Sequence, residues 1–489
     1  MLLVDKFSRT SSCAPKGYRG TMVVLLLVSV INATVLGYDS MMLGSILNLP
    51  SYTSYFSLTP VTIGLNTSAM WMGQIIAAIF LNQLFIDHLG RKTAILSSVL
   101  ISFIGVALQS AAQNIGMFVV GRIFLGLGCN IGVSSAALLV GEIAPAKYRG
   151  LFLGLAFTSF YIGSLVASGV TFSSRNVAGT WAWRIPSIVQ GAVSGLAAFS
   201  IYFVSESPYW LIAHHRMDEA IPVIQISQGI SLEEATSLGK YYEERIELDK
   251  DLIPKHPWRE LFHGSVNIRR VLIMISQAAI TEMSGAAVGN FFLSILLDQA
   301  GVTSTTQKLQ VNIVMSAWGL ICAASGSYMF DFLGRKKQSL ISMVGMICSL
   351  CILGGLIKAY GQSTNTKGMY ASIAMIFFFT GFYSFTYTPL TTLYPAEIWN
   401  YKLRSAGVAF FMVFNCGFGL MNSFVLPIAM TEIGWKFYMI NAGYNVIFIP
   451  IIAFLWVETK GIPLAEVDEL FLKSYTSKKA ELGDESASS

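Results

Sequence analysis

The chain has 489 residues, 54% of them hydrophobic and only 12% charged, and its mean hydropathy is +0.60. Soluble domains carry about a quarter charged residues, so a string of water-soluble domains is excluded. The net charge of +5 is the remainder of a topological bias in lysine and arginine, and carries no nucleic-acid meaning.

The apolar residues come in blocks of roughly 20, enough to cross ~30 Å of hydrocarbon at ~1.5 Å per residue. A polar, basic tail, 1–20, has no small-residue cleavage site and runs straight into the first block, so no removable signal peptide is expected. Blocks follow at 21–47, 62–85, 93–112, 115–139, 151–172 and 184–204. The break between the third and fourth rests on Ala112, Gln113 and Asn114. A hydrophilic linker, 205–268, comes next, with helical spacing after Ser231 and around Tyr241. Six more blocks lie at 269–297, 308–330, 338–358, 369–393, 405–430 and 435–457, before a polar tail, 458–489, expected to be disordered from Lys473 on. The predicted fold is an all-α membrane protein of twelve transmembrane helices in two six-helix bundles, 21–204 and 269–457.

Most of the 32 Lys and Arg fall in the tails and even-numbered loops; the odd-numbered loops hold few beyond Arg175, Lys308, Lys358, Lys367 and Lys436. By the positive-inside rule both tails are cytosolic. The expected setting is a plasma-membrane monomer in the lipid bilayer. Of the cysteines, Cys129, Cys322, Cys348, Cys351 and Cys416 fall in blocks and Cys13 in the tail, so no disulfide is expected. Asn66, Thr67 and Ser68 match a glycosylation sequon but open a span, where modification is not expected.

The clearest pattern is an internal repeat. Asp87, Gly90, Arg91 and Lys92 follow the second block, and Asp331, Gly334, Arg335 and Lys336 follow the eighth. Glu142 and Arg149 follow the fourth, and Glu397 and Arg404 the tenth. Such duplication makes the halves structural copies about an axis along the membrane normal. Acids and arginines at these helix ends can pair across the gap in one state and part in the other, a gate of charge-assisted bonds. The glycine serves a tight turn.

At these residues the chain resembles the sugar porter family of the major facilitator superfamily over nearly its whole length. Glu206, Ser207, Pro208, Tyr209, Trp210 and Leu211 after the sixth block are similar to a family motif, as are Glu458, Thr459, Lys460 and Gly461 after the twelfth. Ser205 and Val457 replace the proline that leads each motif in the family. The stretches from Thr388 to Glu397 and from Pro427 to Lys436 look most like the fungal lactose-permease branch, which implies a fungal origin.

Three ionisable residues lie well inside the blocks: Asp39, Arg122 and Glu282. Such groups are costly in hydrocarbon and mark function by default. Asp39 and Arg122 each sit ~10 Å in from the outer end of their block, so they can pair. A carboxylate that meets and leaves an arginine can exchange a proton. The resemblance implies this role for Gly37-Tyr38-Asp39 and for Gly121-Arg122. Glu282, ~18 Å into the seventh block, is read as a second protonatable group or a solute anchor.

The resemblance also implies a sugar site built from amides. Asn415 matches one, whereas Phe157, Thr281, Glu282, Ala287 and Gly319 stand where the family has Gln or Asn, and Thr392 stands at its tryptophan. A hydroxyl-rich solute needs many polar partners, because each stripped, unpaired hydroxyl costs about 1–3 kcal/mol. A less hydroxylated, larger or basic solute also suits these residues. Aromatics crowd Phe377 to Tyr387 and read first as packing. The Gly128/Gly132 and Gly285/Gly289 spacings read as close helix contacts.

The sequence reading is a proton-coupled symporter of a sugar or polyol, working by alternating access. A carrier of a non-sugar metabolite, a facilitative uniporter and a non-transporting nutrient sensor are the alternatives. No nucleophile elbow, phosphate loop or metal-ligand cluster is present in the sequence, so neither an enzyme, a cofactor, a metal nor a nucleic-acid partner is expected.

Overall fold

The computed structural model describes residues 14–15, 17–82, 84–145, 152, 157–252, 257–302, 304–360, 366–399, 403–460 and 471. The first half holds α1 (Tyr18–Ile46), α2 (Pro60–Ile76), α3 (Arg91–Ser110), α4 (Ile115–Ile143), α5 (Phe160–Ser174) and α6 (Trp181–Ile201). The second holds α7 (Ser265–Met283), α8 (Thr305–Leu333), α9 (Arg335–Tyr360), α10 (Thr366–Ile398), α11 (Arg404–Ile433) and α12 (Lys436–Leu455). All helices but α5 and α6 are long and apolar enough to cross a membrane; α5 is a shorter apolar helix. Twelve helices in two sets of six match the sequence expectation; α7 departs most from its block, ending at Met283 where the block runs to 297.

The thin break before α4 holds because Asn114 caps that helix, its side chain accepting from the Met117 N–H at 2.9 Å. In the linker, Leu232–Leu252 is one helix. It opens on a capping box, with Ser231 Oγ taking the Glu234 N–H at 3.3 Å and Glu234 taking the Ser231 N–H at 2.9 Å.

Small residues set the packing inside each half, as expected where lipid removes the hydrophobic drive between helices. A Cβ on Gly73 would stand 2.1 Å from the Ile123 carbonyl, and one on Gly126 2.1 Å from the Met70 carbonyl, so α2 and α4 touch backbone to backbone. Their counterparts α8 and α10 do the same at Gly326, 1.6 Å from the Phe385 carbonyl. Apolar side chains turned outward, such as Phe80 and Phe454, remain open to lipid.

The halves meet along two symmetric seams, α2 against α11 and α5 against α8. Hydrogen bonds tie them: Asn312 Nδ2 to Ser45 Oγ at 2.8 Å, Ser164 to Ser316 at 2.7 Å, and Tyr161 to Ser384 at 2.6 Å. Ser45 and Asn312 lie toward the face opposite the linker, one residue from the end of α1 and in the second turn of α8.

The Gly285/Gly289 spacing does read as close helix contacts, a Cβ on Gly289 standing 3.2 Å from Thr380 Oγ1 of α10, and the structure adds a helix break to it. Gly285 has φ +108° and stops α7, which restarts as Ala286–Phe291 and Leu293–Gln299. Only glycine adopts this backbone readily, and a Cβ there would stand 2.7 Å from Asn441 Nδ2. Gly128 and Gly132 do read as close contacts, packing α4 on Ser102 and Ser98 of α3.

Candidate solute and proton site

At the linker face each half builds the same charge network. Arg91 pairs with Glu142 at 2.9 Å, and Arg335 with Glu397 at 2.6 Å. Glu206 accepts the Arg91 and Lys92 N–H groups at 2.9 and 3.1 Å, and Glu458 accepts those of Arg335 and Lys336 at 2.8 and 3.0 Å. A carboxylate thus caps the start of α3 and of α9, where the helix dipole favours negative charge. Ser207 then donates to Glu142, and Thr459 to Glu397 at 2.6 Å. Burial pushes Glu206 above the usual carboxylate range, against the pull of its N–H donors.

The turn glycines earn a second reason here. Gly90 (φ +94°) and Gly334 (φ +81°) each lie where a Cβ would stand 2.5 Å from the capping carboxylate. In this state the acid–arginine pairs lie inside each half, where Glu142 and Glu397 hold the guanidinium groups while Glu206 and Glu458 hold the backbone N–H groups; pairing across the gap belongs to the other state of the expected gate. Asp87 and Asp331 are exposed, Arg149 lies outside the described residues, and Arg404 begins α11.

Asp39 and Arg122 are brought together as expected, both at most 1% exposed. Their contact differs from a carboxylate–guanidinium pair. Arg122 Nη1 donates to the backbone carbonyl of Asp39 at 2.7 Å. The carboxylate takes the Cys129 thiol at 2.9 Å through Oδ2, and its Oδ1 has no partner within hydrogen-bond geometry among the described residues, with the Gln190 amide of α6 facing the group. The reason is helical register: Cys129 lies two turns beyond Arg122 on the same face of α4, beside the Asp39 side chain.

Glu282 sits one residue before the end of α7, half-buried, with Asn415 Nδ2 of α11 at 3.0 Å from its Oε1. The break frees four successive carbonyls, and side chains from three helices cover them. Tyr383 of α10 donates to Thr281 at 3.1 Å, Asn422 of α11 to Glu282 at 2.6 Å, Tyr444 of α12 to Met283, and Asn445 of α12 to Ser284 at 2.9 Å. Unpaired buried carbonyls in a bilayer cost several kcal/mol each, so these donors are what permits a broken helix at this depth. Sequence reasoning missed all four; Asn441 and Asn445, one turn apart in an apolar helix, were the available signal.

The other expected solute contacts separate. Gly319 is buried against Tyr161, whose Cε1 lies 2.4 Å from where a Cβ would be. The tyrosine ring therefore occupies the space an asparagine at 319 would need, and its hydroxyl reaches Ser384 and Thr388 of the other half. Phe157 stacks on Phe160, with ring centroids 6.4 Å apart. Thr392 bonds back to the Pro389 carbonyl at 3.4 Å, and Ala287 is buried just past the break. Most of the crowded aromatics in α10 are packing, as read from sequence, but Tyr383 and Tyr387 use their hydroxyls on backbone carbonyls.

A family model described as "Sugar (and other) transporter" matches residues 14–471. The chain belongs to that family. Similar curated relatives include a high-affinity glucose transporter of Kluyveromyces lactis, 24% identical, with 92% of this chain and 85% of the relative covered. A probable quinate permease of Aspergillus niger is 26% identical, with 93% and 88% covered. Among solved structures, a proton:xylose symporter of the major facilitator superfamily superposes with a TM-score of 0.75 at 17% identity, over 93% of this chain and 100% of that one. The fold of this transporter is therefore the major facilitator fold, a multi-pass integral membrane architecture.

Proposed function

We propose that this transporter carries a sugar or polyol together with protons by alternating access of its two halves, in a plasma membrane with both termini in the cytosol. The observation that carries the coupling is the Asp39 carboxyl, wholly removed from water, with its arginine turned to the backbone and one oxygen without a hydrogen-bond partner among the described residues. A group so placed can hold a proton in one state and lose it when rocking changes its surroundings. The seams joining the halves toward the face opposite the linker support an inward-facing arrangement, closed outside. In this reading Glu282 and Asn415 meet solute hydroxyls, and the networks at Arg91 and Arg335 brace each half as it moves.

Uptake into proteoliposomes of labelled glucose, xylose, glycerol and quinate, with and without a pH gradient, tests it. Wild type should concentrate at least one sugar or polyol only with the gradient, and Asp39→Asn should lose that dependence. Gradient-independent uptake by wild type would remove the coupling.

A second reading, a non-sugar metabolite as solute, is favoured by one observation. Tyr161 fills the place of an amide at 319, leaving an aromatic face and the Glu282 carboxylate where a hydroxyl-rich ligand wants more donors. A cationic, sparsely hydroxylated solute such as choline, carried in preference to every sugar and polyol, would establish it.

A further inference from the structure

On the linker side of Asp39 a cavity of about 10 Å³ lies among α1, α3, α4 and α6, the size that holds one water molecule. Its polar wall is made by Asn32, Ser98, Ser102, Cys129 and Ser194. Ser194 is 1% exposed and its hydroxyl has no hydrogen-bond partner among the described residues. Gly132 keeps the wall open, since a Cβ there would stand 2.8 Å from Ser98 Oγ. Buried polar groups are normally paired, and a roomy polar cavity with an orphan hydroxyl is where an internal water satisfies them.

Cys129 belongs to both places: it lines the cavity, and its thiol donates to Asp39 Oδ2 at 2.9 Å. The ionisable groups around Asp39 are Arg122 and Cys129 from α4 and Tyr38 from its own helix, while α6 presents the amide of Gln190. Arg122 is committed to the Asp39 carbonyl. The sulfur is thus the group standing between the carboxyl and the polar cavity.

We propose that this cavity is a water site and that the Cys129 thiol relays the coupled proton between Asp39 and that water. In the release direction the carboxyl O–H breaks and its proton binds sulfur, while the thiol's own proton passes to the water, which hands a proton on toward the linker face. Rotation of the thiol resets it. One proton moves, no charge remains on sulfur, and no oxidant or reductant is needed. The relay rests on the coupling role proposed for Asp39, whereas the water site does not.

Two measurements test it. In pH-induced infrared difference spectra of the purified full-length transporter, the carboxyl band lost in Asp39→Asn should appear together with a Cys129 S–H band and a water band that shifts in H2(18)O. Ser194→Ala, which removes only the orphan hydroxyl, should abolish the water band; its absence from wild type overturns the water site. In proteoliposomes, with the panel solute that wild type carries fastest, Cys129→Val should cut gradient-driven uptake at least tenfold with equilibrium exchange within twofold, and Cys129→Ser should restore it. Cys129→Val driving uptake at the wild-type rate overturns the relay. A wild type indifferent to the gradient would instead sink the coupling role of Asp39, while the infrared result would still decide the water site.

Discussion

Arg122 holds Asp39 by its backbone, 2.7 Å from Nη1 to the carbonyl oxygen, and leaves the carboxyl to Cys129. The two charges share one buried place without being locked together. Removing either alone strands the other, a change that costs about 3–5 kcal/mol for buried charges. Arg122→Ala should therefore destabilise the protein by about that much in detergent thermal unfolding. Adding Asp39→Asn should recover part of the loss, since the stranded carboxyl is then neutral. Strictly additive single effects would show that the two residues do not interact.

The second prediction concerns the break in α7. Asn422→Ala leaves the Glu282 carbonyl without its donor at 2.6 Å, and Tyr444→Phe does the same to Met283. Each should lower stability by about 1–3 kcal/mol. Because both donors fix the backbone that aims Glu282, half-saturation for solute should rise several-fold while maximal uptake changes less. Unchanged half-saturation with lowered stability would mean that the donors serve folding only.

Much of this was legible in the sequence. The twelve spans were readable because hydrocarbon demands long apolar runs, and the duplicated Asp-x-x-Gly-Arg-Lys turns mark the two halves. Asp39, Arg122 and Glu282 stood out because charge inside a span is rare. The geometry was less accessible. Nothing in the spacing says that Glu206 and Glu458 tie Arg91 and Arg335 to their own halves, because those acids lie more than a hundred residues away in sequence. The stop at Gly285 was hidden for a related reason: an isolated glycine in an apolar run reads equally as a close contact, and the Tyr and Asn donors that make a break tolerable come from three other helices.

The exchange of volume between residues 161 and 319 gives a third prediction. Gly319→Asn restores the residue that the family resemblance implies there, but its Cβ would meet the Tyr161 ring at 2.4 Å. Alone it should reduce uptake of every solute at least tenfold, by overpacking the seam between α5 and α8. Combined with Tyr161→Ala it should recover transport and move selectivity toward hexoses over quinate. If Gly319→Asn alone transports normally, Tyr161 does not define the edge of the solute site.

The balance between the two access states supplies the last prediction. Asn312 to Ser45, and Ser164 to Ser316, hold the halves together toward the face opposite the linker. A hydrogen bond of this kind contributes about 1 kcal/mol net, so its loss shifts a two-state equilibrium roughly fivefold. Asn312→Ala should open that face, and Ser164→Ala with it should open it further. Spin labels at Thr59 and Gln307, both exposed near that face on opposite halves, report the change as a longer distance population in double electron–electron resonance. The linker-face networks lie wholly within each half, so Glu142→Gln should leave this distribution in place while lowering stability. An equal shift from Glu142→Gln would return the charges to the bridging role that their sequence positions first suggest.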